Sequence, residues 1–297
     1  MATRRLVFVH GRAQEHKDAQ ELKDSWVASL RKGLAKSGLE LPIAETDIRF
    51  PYYGDALFDR VAGLPDAQVA QVIMRGAGQP ADEREFVRAV LAEVAAKLGV
   101  SEAEIAAVSD TQIVERGIQN WEWVQRVLVA LDRHVPKASR LSIALATEDV
   151  SKYLFDPRIT DAIDEGVRAA MIDDVPTVVV SHSLGTVVAY KMLKEKQGHE
   201  RWNVPLFVTL GSPLAISAIR RRLQPLRHPD YVGHWFNAMD ERDVVALYPL
   251  SHANFPVDPE IENKTDVDNF TDNRHGIAGY LEDRVVAQRI HAALLGA

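Results

Sequence analysis

The stretch Thr177-Val178-Val179-Val180-Ser181-His182-Ser183-Leu184-Gly185-Thr186 decides the fold. Its first half is a β-branched apolar run without polar alternation, the pattern of a strand buried on both faces of a parallel sheet. Its second half turns small and polar and then takes helical spacing, which predicts a helix over 184–196. A serine between such a strand and such a helix stands on a sharp turn, and its hydroxyl projects above the sheet edge. The turn brings backbone segments so close that the residues two before and two after must be small. Ser181 and Gly185 meet that demand. The helix behind Ser183 aims its free N–H groups and positive dipole end at the place where negative charge would develop. A serine at a helix start also serves as a plain cap, with no chemistry.

Working outward, 6–9 is a short apolar run ending at His10-Gly11, and it predicts another buried parallel strand. Leu22, Trp26, Leu30 and Leu34 repeat every four residues, predicting a helix over 19–36 that ends at Gly38. A second strand is predicted over 43–50, stopped by Pro51. Between 55 and 136 the character changes to helices. Val87, Leu91, Val94 and Leu98 mark one helix; Trp121, Val124, Leu128 and Leu131 mark another over 113–135; Gly76, Gly78 and Pro80 separate the pieces. We expect this segment to be a helical insertion, a cap or lid, on a core formed by 1–54 and 137–297. Downstream, a short strand is predicted at 141–145 and a helix over 160–171 carrying Ile163 and Val167. A strand at 206–210 runs into Gly211-Ser212-Pro213, and one at 233–239 runs into Asp240-Glu241-Arg242-Asp243. A last helix is predicted over 277–295. Strands alternating with helices imply an α/β fold, a mainly parallel sheet with helices on both faces.

Composition narrows the classes. With 297 residues, 46% hydrophobic and 26% charged, the chain is long enough for a sizeable core and is not a disordered or fibrous composition. It has no cysteine, which removes disulfides, thiolate nucleophiles and Cys-ligated metals. The net charge of −7 speaks against a nucleic-acid partner. The densest basic stretch, Arg220-Arg221-Arg222 with Arg227 nearby, reads as a solvated face. No stretch approaches the roughly 20 apolar residues of a membrane span, and the N-terminal run is too short for a signal-peptide core. The expectation is a cytoplasmic protein. No histidine pair has zinc-protease spacing, and neither a Gly-x-Gly-x-x-Gly nor a P-loop follows a strand. No metal or cofactor is expected, and no oligomeric state is implied.

The segment from Val178 to Thr186 resembles the nucleophile elbow of the α/β-hydrolase superfamily, with Ser181 where that family most often has glycine. His10-Gly11 after the first strand resembles the start of its oxyanion loop. The resemblance implies a hydrolase fold in which backbone N–H groups of Leu184 and of Gly11 or Arg12 receive the oxyanion. It also implies a chain order of serine, then acid, then histidine. The segment Asp243-Val244-Val245-Ala246 resembles the acid-bearing segment of lipase-like members, which favours Asp243 over Asp240, a turn former. His275, in the loop Asn273-Arg274-His275-Gly276 before the last helix, stands where the superfamily places its base. His252 and His291 are the alternatives, and His182 is implied to be structural. Gly211-Ser212-Pro213 also resembles lipase-like members and reads equally well as a tight turn.

The resulting expectation is a serine hydrolase, lipase- or esterase-like, cleaving a small-molecule or lipid carboxylic ester. Ser183, His275 and Asp243 form its triad. A peptidase, amidase or thioesterase would use the same residues, because fold does not fix function. A non-catalytic interaction module is the reading from another class.

Overall fold

The computed structural model describes residues 4–11, 18–53, 80–108, 119–131, 133–135, 137–195 and 201–296. Arg12, the segment 55–79 with Gly76 and Gly78, residues 113–118 of one predicted helix and residue 196 of another lie outside them.

Among the described residues six strands form one sheet in the order β2-β1-β3-β4-β5-β6, every neighbouring pair parallel. They are β1 (Arg5–Val9), β2 (Ile48–Arg49), β3 (Thr177–His182), β4 (Val204–Leu210), β5 (Val232–Ala238) and β6 (Glu262–Lys264). The helices are α1 (Ala19–Ala35), α2 (Ala81–Lys97), α3 (Glu102–Ala106), α4 (Gln119–Leu131), α5 (Lys137–Phe155), α6 (Pro157–Ala170), α7 (Leu184–Lys194), α8 (Ser217–Arg222), α9 (Ile277–Leu281) and α10 (Arg284–Leu295).

The apolar runs become central strands because both sheet faces are covered. In β1, Leu6 and Phe8 enter one apolar cluster while Val7 and Val9 enter the other; in β3, Val178 and Val180 oppose Val179 in the same way. That alternation is the period of two of a pleated strand. One face packs on α1, α9 and α10 through Trp26, Leu30, Tyr280 and Val286. There α1 comes so close to α9 that a Cβ on Gly33 would stand 2.3 Å from the Leu281 carbonyl. The other face packs on α7, and its cluster runs without interruption into Val87 and Val94 of α2, Val127 of α4 and Ile143 of α5. Among the described residues no helix is long and apolar enough to cross a membrane.

Three sequence expectations need correction. Residues 141–145 are not a strand but part of the 19-residue α5; Ile143 and Ala144 share their burial with Val150 and Tyr153, so the run is one stripe of a helix. The strand expected over 43–50 shrinks to Ile48–Arg49, preceded by a 3-10 turn at Glu45–Asp47. The last helix is two helices. Asp283 caps α10 by accepting from the N–H groups of Val285 and Val286, which restarts the helix there.

Strand order reverses between β1 and β3, the place where open α/β sheets receive ligands at their carboxyl ends. His10-Gly11 follows β1, Ser183 follows β3, Gly211 follows β4 and Asp240 to Asp243 follow β5. All leave the same edge of the sheet.

Candidate active site

Ser183 holds φ 55° and ψ −127°, a left-handed conformation for a residue that carries a side chain. Such a residue costs about 1–3 kcal/mol and persists only where its surroundings impose it. They do so here through close approach and hydrogen bonding. A Cβ on Gly185 would lie 2.2 Å from the Val9 carbonyl oxygen and 2.5 Å from that of His10, so α7 begins pressed against the end of β1. Ser181 is small enough for the crowded turn, and its hydroxyl donates to the Val208 carbonyl on β4 at 2.9 Å. Ser212 donates to Thr186 Oγ1, and Thr186 donates to the Ser183 carbonyl at 2.7 Å, so the segment after β4 also braces the turn. Ser183 makes no side-chain cap to its helix. Its Oγ lies instead 2.9 Å from Nε2 of His275.

His275 Nδ1 stands 2.8 Å from Asp243 Oδ2. A carboxylate accepts, so Nδ1 carries the proton and Nε2 presents its lone pair to the Ser183 hydroxyl. The carboxylate of Asp243 is wholly buried. Its Oδ1 accepts from Val245 N–H at 2.9 Å and from Ala246 N–H at 3.4 Å, which explains why the acid is followed by a short turn. Its Oδ2 also accepts from the Tyr280 hydroxyl at 2.6 Å. The loop bearing His275 is fixed by polar side chains. Asn273 Oδ1 accepts from the His275 N–H at 3.1 Å, and Asn269 Nδ2 donates to the Gly276 carbonyl at 2.9 Å.

His182 is bonded to the His275 loop and not to Ser183. Its Nε2–H donates to the His275 carbonyl at 2.7 Å, and its ring lies 4.7 Å from the His275 ring. Burial, helped by the neighbouring His275, lowers its pKa from 6.5 to about 3, so it is a neutral donor. His10 is held likewise between the rings of Phe50 and Tyr53, at 5.2 and 4.0 Å. Burial takes its pKa down to about 4, and the Tyr53 hydroxyl donates to its carbonyl. This clamp fixes Gly11, where a Cβ would stand 2.8 Å from Ser183 Cβ and 3.3 Å from Oγ. The Gly11 backbone is thus beside Ser183, and the Leu184 N–H is the first of α7, among those that helix geometry leaves without an intrahelical acceptor.

Asp240 does not reach His275. Its carboxylate accepts from the N–H groups of Arg242 at 2.8 Å and Asn269 at 2.9 Å and pairs with the Arg242 guanidinium, so it is a loop organiser. His252 is exposed and His291 lies in α10, away from the turn at Ser183. Gly211 has a role that its turn-like sequence concealed. It holds φ 55°, and a Cβ there would meet Tyr280 at 3.0 Å and both Asp243 Oδ2 and His275 Nδ1 at 3.1 Å. Tyr280 and Asn269 were missed by sequence reasoning: the first acts on Asp243 across 37 positions, and the second, acting on Gly276, stands in no motif that marks it. Among the described residues no group of three or more His, Asp or Glu is arranged to hold a metal ion. A cleft of about 330 Å³, lined by Tyr153, Thr160, Lys191, Lys194, Arg222 and Gln224, opens at the far end of α7. It lies about 12 Å or more along the helix from Ser183, at 1.5 Å per residue.

No protein-family model matches the chain, and the searches of curated proteins and of solved structures find no match either. The reading of the site therefore stands on its geometry.

Proposed function

We propose that the chain is a serine hydrolase of the α/β-hydrolase type, cleaving carboxylic esters through Ser183, His275 and Asp243. One observation carries the reading: a single imidazole bridges a strained, strand-to-helix serine at 2.9 Å and a buried carboxylate at 2.8 Å. A serine hydroxyl is a weak nucleophile unless a base stands beside it, and this arrangement supplies the base in the required tautomer.

In the proposed cycle His275 Nε2 takes the Ser183 proton as Oγ bonds to the acyl carbon. The carbonyl oxygen becomes an oxyanion beside the N–H groups of Leu184 and Gly11, each such donor being worth about 3 kcal/mol at the transition state. Asp243 steadies the charged imidazolium through Nδ1–H. His275 then gives its proton to the departing alkoxide oxygen, the C–O bond breaks, and the acyl group remains on Ser183. Water enters, loses a proton to His275 and attacks the acyl carbon. The acid leaves, and the proton returns to Ser183 Oγ. We read the segment 55–136, whose described part holds α2, α3 and α4, as a cap for this site, and its Leu, Val and Trp content favours an acyl chain as the group it receives.

The test is labelling with a fluorophosphonate probe. The native chain is expected to label, and Ser183→Ala and His275→Ala to stay unlabelled. A folded native chain that does not label would overturn the reading. A series of p-nitrophenyl esters of increasing acyl length then measures whether kcat/KM rises with chain length, as an apolar acyl site requires.

A further inference from the structure

Asp243 has more donors than a carboxylate needs to hold one imidazole. A carboxylate offers about four lone-pair directions. Two are taken on Oδ1 by Val245 and Ala246, and two on Oδ2 by His275 at 2.8 Å and Tyr280 at 2.6 Å. Tyr280 is wholly buried in the face covered by α9. Its hydroxyl oxygen accepts from the Asp240 N–H at 3.3 Å, which leaves its own proton directed at Asp243. Burial and the two nearby carboxylates push the phenol pKa well above 10, so the group stays a donor across the working range.

We propose that Tyr280 is a positioning residue that sets the proton affinity of His275 by sharing Asp243 Oδ2 with it. The proposal rests on the hydrolase reading for its consequence in catalysis, but the hydrogen bonds it invokes are features of the resting protein. A charge-assisted hydrogen bond from Tyr280 draws on the negative charge that Oδ2 would otherwise offer to the imidazolium. Removing it concentrates that charge on Nδ1–H, stabilises the protonated form of His275 and raises its pKa. The other groups facing this pair are held in fixed states. His182 and, behind it, His10 are buried and neutral. The Asp240 carboxylate is paired with Arg242, and Arg274, next to His275, is turned to Asp268.

The test follows the ring of His275 by NMR titration in the full chain, with His275→Ala to assign the signal. Tyr280→Phe is expected to raise the His275 pKa by about half to one pH unit, and the acid limb of the fluorophosphonate labelling profile to move up with it. Site-specific 3-fluorotyrosine at position 280, a stronger donor of nearly the same shape, is expected to move both in the opposite direction. A residue that only fills space would give no such opposed pair of shifts. Unchanged His275 titration in both variants overturns the proposal. If Tyr280→Phe does not fold, the fluorotyrosine chain decides alone. Because the titration needs no turnover, a native chain that fails to label would defeat the hydrolase reading while the Tyr280 effect is still read.

Discussion

Gly185→Ala is a substitution for which helix propensity and the structure give opposite signs. In an ordinary helix interior, alanine is favoured over glycine by about 1 kcal/mol. At position 185 the new methyl carbon would stand 2.2 Å from the Val9 oxygen and 2.5 Å from the His10 oxygen. Carbon–oxygen contacts settle near 3.3 Å, so α7 and the end of β1 must separate by about 1 Å. Both obstructing atoms are backbone, and β1 is paired to β3 along its length, with Val9 opposite Ser181. No flexible side chain can absorb the change. Overpacking of this kind costs about 1–3 kcal/mol and more where backbone must move, and it outweighs the propensity gain. Set against that gain, the upper end of the overpacking cost leaves a net loss of about 2 kcal/mol. The same displacement draws Gly11 away from Ser183, and a misplacement of about 1 Å lowers reaction rates on the order of 100-fold. Gly166→Ala, inside α6 with nothing within 4 Å of the new carbon, is the control and should gain about 0.5–1 kcal/mol. Denaturant midpoints at unchanged m-value, with fluorophosphonate labelling rates, report both effects. A Gly185→Ala chain as stable and as reactive as the parent would refute the reasoning.

Asp243→Asn should lower the labelling rate by about 10⁴-fold, because an amide nitrogen facing Nδ1 stabilises the wrong tautomer. Asp240→Asn keeps one of the two oxygens that accept from the Arg242 and Asn269 N–H groups and touches neither Ser183 nor the His275 ring, so it should label far faster than Asp243→Asn. His182→Phe preserves the ring contact but removes the donor to the His275 carbonyl; a buried carbonyl so deprived should cost about 1–3 kcal/mol by chemical denaturation. Acid should destabilise the fold through His10 and His182, whose folded pKa values fall from 6.5 to about 4 and about 3. The unfolded chain takes up these protons below pH 6.5 and the folded chain does not until those lower values. Stability is therefore full above 6.5 and declines as pH falls toward 4, by on the order of 2 kcal/mol per histidine between pH 7 and 5. His182→Phe should roughly halve that slope, and an unchanged slope would contradict the assignment.

What the sequence made legible follows from how local each signal is. The strand and helix flanking Ser183 are read from Val178 to Val180 and from the small residues around the turn, because burial on two faces and steric crowding act on neighbours. Ser183, Asp243 and His275 stand together in the fold, each at a loop where its residue type and position in the chain order had drawn attention. The run 141–145 misled because five apolar residues fit a buried strand as well as a stretch of helix. The edge strand β6, Glu-Asn-Lys at 262–264, carries no apolar signal at all; its pairing with Phe236 to Ala238 alone makes it a strand. Tyr280 and the glycine at 211 were opaque for a different reason. Their importance lies in atoms brought close by the finished fold, the first through one hydrogen bond and the second through the space it leaves for His275.

The pairing of β1 with β3 has a kinetic consequence. Leu6 registers with Val178, and Val9 with Ser181, so the strand carrying His10 waits for a partner synthesised about 170 residues later, and contacts of such separation close slowly. Until β3 is made, an apolar five-residue strand has no neighbour on that side and is exposed to association with other chains. The strand that leads into Ser183 is therefore also the piece that closes the centre of the sheet. A nascent chain stalled before residue 177 would lack the means to bury its own first strand, so resistance to aggregation should rise only once β3 has been made.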